Sequence, residues 1–253
     1  MTQDEAWILE EKYNGEKTEG FFADCARLQT GEPLAYIIGT IPFLHTTISL
    51  DSHPLIPRTE TEFWVAEMLP EIKEREAHGL VRILDLCAGS GCIGVAVLAE
   101  APSVRVDFAE IDTHHHTTIQ KNITANGIDP ARTRIMGGDL FAEVAQVYDY
   151  ILTNPPYIDP ALDRTTESVQ SFEPKIALYG GVSGMEYIDR IIAEAPKHLN
   201  PHGTLIIEHE PEQALAIAEK ARAHNFNVST HTDQFGVLRY TVLVRKIPDT
   251  VSE

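Results

Sequence analysis

The run Ile83-Leu84-Asp85-Leu86-Cys87-Ala88-Gly89-Ser90-Gly91-Cys92-Ile93-Gly94 reads as an apolar strand that ends in an acid, crosses a loop of small residues and enters a helix. Gly89 and Gly91 allow a tight turn with close approach of the backbone to a ligand, and ligands of open α/β sheets bind outside the carboxyl ends of the strands. Working outward, β-rich runs at 81–86, 104–111, 134–136, 148–153 and 203–208 alternate with helix-like runs at 93–99, 113–126, 184–198 and 211–224. Such alternation predicts right-handed crossovers and a mostly parallel sheet with helices on both faces, an α/β fold. The final runs, 227–232 and 237–244, are separated only by a turn at 233–236 and are expected to pair antiparallel at one edge.

Ahead of this region, Asn14-Gly15 separates two short helical stretches. The second, near 18–30, carries Phe21, Phe22, Cys25 and Leu28 at helical spacing and is stopped by Gly31. Between 34 and 51 two short β-rich runs, Ala35-Tyr36-Ile37-Ile38 and 43–50, are broken by Gly39 and Pro42, which predicts a hairpin. The acid-rich start of 59–76 and its apolar Phe63, Val65, Ala66 and Leu69 predict a helix. The expected division is a helical segment at 1–31, a β-hairpin connector at 32–57, the main domain at 58–247 and a tail at 248–253.

The chain has 253 residues, 43% of them hydrophobic and 23% charged, enough for one large core. No stretch approaches the roughly 18 uninterrupted apolar residues of a membrane helix, and residues 1–20 hold no apolar signal core, so a cytoplasmic protein is expected with no membrane partner. Cys25, Cys87 and Cys92 suit neither a disulfide framework nor a zinc site and read as small packing residues. The 38 acids against 20 Lys and Arg give a charge of −18. That balance disfavours a phosphate backbone and favours small molecules or a partner with a basic surface.

Two further segments carry chemistry. The strand 104–109 is followed by Glu110, about twenty residues past the glycine loop, where a carboxylate can accept hydrogen bonds from both hydroxyls of a ribose. Nicotinamide dinucleotides and S-adenosylmethionine share that device. Cys87, however, stands where a pyrophosphate-hugging loop has its first glycine, and this favours a cofactor without a pyrophosphate. Then Tyr148-Asp149-Tyr150-Ile151-Leu152-Thr153 delivers Asn154-Pro155-Pro156-Tyr157 to the same carboxyl edge. The two prolines fix φ and bias the residue before each towards an extended conformation, so Asn154 and the Pro155 carbonyl are held rigidly. An amide or aromatic amine is a poor nucleophile because its lone pair is delocalised. If the Asn154 side-chain oxygen and the Pro155 carbonyl each accept one N–H of such a group, its lone pair can be aimed at a sulfonium methyl, with Tyr157 against its plane.

With these motifs the chain closely resembles the HemK/PrmC family of release-factor glutamine methyltransferases. The likeness runs from Gly31-Glu32-Pro33-Leu34-Ala35-Tyr36-Ile37 through Leu55-Ile56-Pro57-Arg58-Thr59-Glu60-Thr61-Glu62, the glycine loop, Asn-Pro-Pro-Tyr and Phe172-Glu173-Pro174-Lys175-Ile176-Ala177-Leu178, to Val244. It implies a Rossmann-like, seven-stranded class I methyltransferase sheet, S-adenosylmethionine as donor, and a glutamine in the Gly-Gly-Gln loop of a peptide-chain release factor as acceptor. Carried over by position, Asp85, Cys87, Ala88, Gly89, Ser90, Gly91, Glu110, Asp139, Leu140 and Asn154 are expected to surround the cofactor, and Asn154, Pro155, Pro156 and Tyr157 to grip the glutamine. Residues 85–92 are also similar to the sister enzymes that methylate a glutamine of a large-subunit ribosomal protein.

Other polar residues leave alternatives open. His114-His115-His116 cannot converge on one ion from consecutive helix positions, so a solvated helix start capped by Asp112 or Thr113 is expected, with no metal. Asp139 suits either an adenine contact or a structural cap. Glu208 suits either a supporting role at the site or a helix-start charge with Glu210 and Glu212. Arg58 and Glu60 either shape the site entrance and touch substrate, or form an ion pair that pins the connector. Two rival functions are an adenine-amino methyltransferase of nucleic acid, which shares Asn-Pro-Pro-Tyr but must bind phosphates, and a non-catalytic cofactor-binding scaffold, which has no need of that motif.

Overall fold

A computed structural model describes residues 1–246; the expected tail at 248–253 lies outside them. In chain order the elements are α1 (Gln3–Tyr13), α2 (Glu19–Gln29), α3 (Leu34–Ile38), β1 (Thr40–Phe43), β2 (Thr46–Ser49), α4 (Thr59–Glu76), β3 (Arg82–Leu86), α5 (Cys92–Glu100), β4 (Arg105–Ala109), α6 (Thr113–Ala125), β5 (Thr133–Met136), β6 (Tyr148–Thr153), α7 (Glu167–Phe172), α8 (Lys175–Leu178), α9 (Glu186–His198), β7 (Leu199–Glu208), α10 (Ala214–Ala223), β8 (Phe226–Thr232) and β9 (Leu238–Arg245).

Seven strands form one sheet in the order β5-β4-β3-β6-β7-β9-β8. The first five are parallel, while β9 runs antiparallel between β7 and the edge strand β8. The twofold periodicity of the strands sends alternate side chains to opposite faces. Ile83, Tyr150, Leu152 and Ile206 join Trp64 of α4, Val95 of α5 and Ile119 of α6 on one face. Leu84, Leu86, Ile151, Leu205, Ile207 and Leu243 join Ile188 and Ile192 of α9 and Ile217 of α10 on the other. With both faces covered, the central strands are continuous apolar runs rather than alternating ones.

One expectation about the connector is overturned. Residues 35–38, read as β-rich, form one turn of helix, and the hairpin is confined to β1 and β2, with Thr40 opposite Ser49. Tertiary contacts override the β preference of Tyr and Ile here. Tyr36 donates its hydroxyl hydrogen to the Pro54 carbonyl at 2.6 Å, and Ile37 is sealed into a small cluster with Ile8, Leu9 and Phe21 of α1 and α2. Gly39, at φ 90°, ends the turn through its N–H to the Ala35 carbonyl, a conformation that only glycine adopts without cost. The hairpin in turn is locked to the glycine loop by Asn122 of α6. Its Oδ1 accepts from the Ser49 N–H at 2.7 Å, and its Nδ2 donates to the Ser49 and Ser90 carbonyls.

Gly94, in the first turn of α5, lets that helix lie directly on β4. A Cβ there would stand 2.4 Å from the Phe108 ring and 2.8 Å from Val106, both fully buried. Gly94→Ala is therefore expected to destabilise the protein by about 1–3 kcal/mol through overpacking, read as a lower urea midpoint with an unchanged m-value.

Candidate active site

The direction of strand order reverses between β3 and β6, which are paired in parallel with Leu86 opposite Thr153. Such a switch point opens a crevice at the carboxyl edge. Here it sets the glycine loop beside Asn154-Pro155-Pro156-Tyr157, and the Thr153 hydroxyl locks the two by donating to the Leu86 carbonyl at 2.7 Å. A cavity of about 700 Å³ follows, lined by Cys87, Gly89, Glu110, Asp139, Leu140, Asn154 and Pro156, with Leu55, Ile111, His115, Ala177 and Tyr187 among the remaining walls. Cys87 and Leu140 both hold left-handed backbones, φ 60° and 52°, at this wall. Asp85, Ala88, Ser90 and Gly91 are buried and do not line this cavity, contrary to expectation. Asp85 is turned into the sheet–α5 interface, where its Oδ2 accepts from the Gly94 N–H at 2.9 Å.

Glu110, almost wholly buried, ties the end of β4 to the loop: Oε2 accepts from the Gly89 N–H at 2.7 Å and Oε1 from the Asp112 N–H at 2.8 Å. Each carboxylate oxygen keeps acceptor capacity for a ligand. Gly89 has nothing within 4 Å of where a Cβ would stand, so its backbone is bare towards the crevice. The lining contains two acids and neither Lys nor Arg. That set of residues fits S-adenosylmethionine, whose ribose Glu110 would hold and whose sulfonium and ammonium charges need no basic wall. It does not fit a pyrophosphate.

A second cavity, of about 930 Å³, lies against the first and shares Leu55, Asn154 and Ala177 with it; Arg58, Glu60, Pro155, Tyr157, Arg164, Glu208, Glu210 and Arg239 are among its other lining residues. Asn154 thus stands where the two meet. Its Nδ2 donates to Thr61 Oγ1 at 3.1 Å. Its Oδ1 takes no hydrogen bond and is not among the sealed-off polar atoms, which within the described residues are Asp85 Oδ1 and Asp189 Oδ1 alone. The Pro155 carbonyl likewise accepts nothing from the described backbone. Behind it the loop is gripped: Gln213 Nε2 donates to the carbonyls of Tyr157 and Ser183, and Gly184 packs so close to the Tyr157 carbonyl that a Cβ would stand 1.8 Å from it.

Several expectations change. Arg58 and Glu60 do line the second cavity, but they do not pair with each other: Arg58 Nη2 donates to Glu173 at 2.6 Å, and the Ile56 N–H donates to the same carboxylate. That double contact pins the segment after the hairpin to the junction of α7 and α8. Asp139 is paired with Arg190 of α9 at 2.7 Å while bordering the first cavity. Glu208 is no helix-start charge: it is buried and accepts from Thr61, Trp64 and Tyr157. Asp112 caps α6 as expected, but His115 is not solvated; it is buried on the cavity wall with Nδ1 against Ser52. Sequence reading passed over Thr61 and Trp64. Their spacing of three places them on one face of α4, which was a usable signal.

Among the described residues no helix is long and apolar enough to cross a membrane. The sheet order and the crevice at its switch point define a Rossmann-like class I methyltransferase fold. A methyltransferase from Pyrococcus furiosus shares it, with TM-score 0.60 at 18% identity over 89% of this chain and 99% of that one. The methyltransferase small domain model matches residues 66–172. A release factor glutamine methyltransferase of Bifidobacterium longum is 32% identical over 84% of this chain and 76% of its own length. The chain belongs to the release factor glutamine methyltransferase family. A ribosomal protein uL3 glutamine methyltransferase of Bradyrhizobium diazoefficiens is 33% identical over 72% of this chain, and the matched region spans 59% of that relative.

Next to Glu208, fully buried His209 donates from Nδ1 to the Glu210 carbonyl at 2.8 Å, so its Nε2 must accept from the Thr241 hydroxyl. Burial lowers its pKa to about 4. The unfolded chain takes up this proton near pH 6.5 while the folded one resists it to about pH 4, so stability falls as pH drops through that window. Between pH 7.5 and pH 5 this group is expected to cost about 2 kcal/mol. Urea unfolding of His209→Gln at the two pH values should show a correspondingly smaller drop than the wild type.

Proposed function

We propose that this chain transfers a methyl group from S-adenosylmethionine to the side-chain amide nitrogen of a glutamine in a protein, with the Gly-Gly-Gln loop of a peptide-chain release factor as the acceptor. The observation that carries the reading is the pair of unengaged acceptors, Asn154 Oδ1 and the Pro155 carbonyl, at the meeting of a cofactor cavity without Lys or Arg and a second, open cavity. Residues 58–247 are read as the transferase domain, with 32–57 as its connector and 1–31 as an N-terminal appendage. An acceptor in translation puts the reaction in the cytoplasm.

The bound cofactor supplies a methyl group on a sulfonium. Asn154 Oδ1 and the Pro155 carbonyl each accept one N–H of the glutamine amide, and Tyr157 lies against its plane, so the nitrogen lone pair faces that methyl. The N–C bond forms as the C–S bond breaks, the sulfur keeps the electron pair, and the methylated nitrogen loses its extra proton to water. Neither step requires a strong base at the nitrogen beforehand. The similarity to the uL3 enzyme favours a ribosomal-protein glutamine as the second reading. Incubation with labelled cofactor, a release factor and a cell lysate, followed by mass spectrometry of the labelled residue, tests both. Label on no glutamine overturns the proposal.

Two substitutions separate the parts. Glu110→Ala should weaken S-adenosylhomocysteine binding by about 2–4 kcal/mol in calorimetry, the worth of one or two hydrogen bonds to a charged group. Asn154→Ala should leave that binding within about threefold of the wild type and lower turnover by about 10²–10³, the usual cost of one preorganised hydrogen-bonding group.

A further inference from the structure

The buried Glu208 carboxylate has three donors around it and no positively charged partner in direct contact: Thr61 Oγ1 at 2.7 Å and Trp64 Nε1 at 2.7 Å on Oε2, and the Tyr157 hydroxyl at 3.0 Å on Oε1. Thr61 and Trp64 are themselves buried. The indole N–H can only donate, and the Thr61 hydroxyl has a single hydrogen. With that hydrogen given to Glu208, only the lone pairs of Thr61 Oγ1 remain for Asn154, at 3.1 Å. An amide NH₂ can satisfy them and an amide oxygen cannot. The side chain of Asn154 therefore has one allowed face, and its oxygen is turned away from Thr61.

We propose that Thr61 and Glu208 are positioning residues of the transfer site: Glu208 orients the Thr61 hydroxyl, and Thr61 in turn fixes which end of the Asn154 amide meets the acceptor nitrogen. The inference rests on the methyl-transfer reading above. It goes beyond that reading because neither residue touches the acceptor's amide in the scheme given there. A flipped Asn154 would present an NH₂ to the glutamine NH₂, donor against donor, so the orientation decides whether the clamp exists. The same carboxylate also holds the Tyr157 hydroxyl, so one buried group sets both the amide and the aromatic side of the clamp.

Thr61→Val keeps the shape and removes the hydroxyl. Steady-state methylation of a Gly-Gly-Gln release factor is expected to show kcat lowered about tenfold, in keeping with one lost hydrogen bond, with S-adenosylhomocysteine affinity unchanged. Thr61→Ser, which returns the hydroxyl, should recover the rate to within about threefold of wild type. Should the valine variant fail to fold, judged by loss of S-adenosylhomocysteine binding, Thr61→Ala makes the same comparison. Turnover by a hydroxyl-free variant as fast as wild type overturns the positioning role, as does a serine variant no better than valine. A wild-type chain that methylates no glutamine removes the functional reading and this inference with it, an outcome seen before any variant is compared.

Discussion

The parallel pairing of β3 with β6 is the constraint on which the rest depends. Because strand order reverses there, two loops that are some sixty residues apart in sequence leave the sheet side by side, with no intervening element to bridge the gap. The crevice is thus a by-product of topology, and its two walls inherit the rigidity of fully buried strands. Other elements are tied to this base: the hairpin through Asn122, the α4 helix through Thr61, and the segment before α4 to the α7–α8 junction through Glu173.

Charge at the site follows one logic. The chain as a whole is strongly acidic, and the first cavity has two acids and neither Lys nor Arg on its wall. A phosphate-bearing ligand would find no cationic side chain on that wall and would face the Glu110 carboxylate, which favours a sulfonium. Arginines are placed in the second cavity instead, where Arg58, Arg164 and Arg239 are already engaged by Glu173, Glu212 and Asp233. They hold loops in place rather than offering free positive charge.

Glu208 shows why a buried carboxylate can be retained despite its cost. Desolvation raises its pKa, and the hydrogen bonds from Thr61, Trp64 and Tyr157 oppose that rise. Replacing it by apolar atoms would leave the Thr61, Trp64 and Tyr157 donors without their acceptor, at a cost of about 1–3 kcal/mol for each donor left buried and unsatisfied. What it supplies is direction: three donors, from two elements, aimed at one point.

Much of this was legible in the sequence. The apolar strand runs, the glycine loop and the Asn-Pro-Pro-Tyr run are local features, and local chemistry is what a sequence displays: small residues for a tight turn, prolines for a fixed φ, continuous apolar runs for a sheet covered on both faces. They identified the sheet, its antiparallel pair and the two loops of the crevice. The helix at 34–38 was not legible, because its residues prefer strands and only the packing of Ile37 and the Tyr36 hydroxyl reverses that preference. Nor were the partners of Glu208, Arg58 and His115. Each is decided by residues more than fifty positions away, and hydrogen bonds across such separations exist only once the chain has closed around its core.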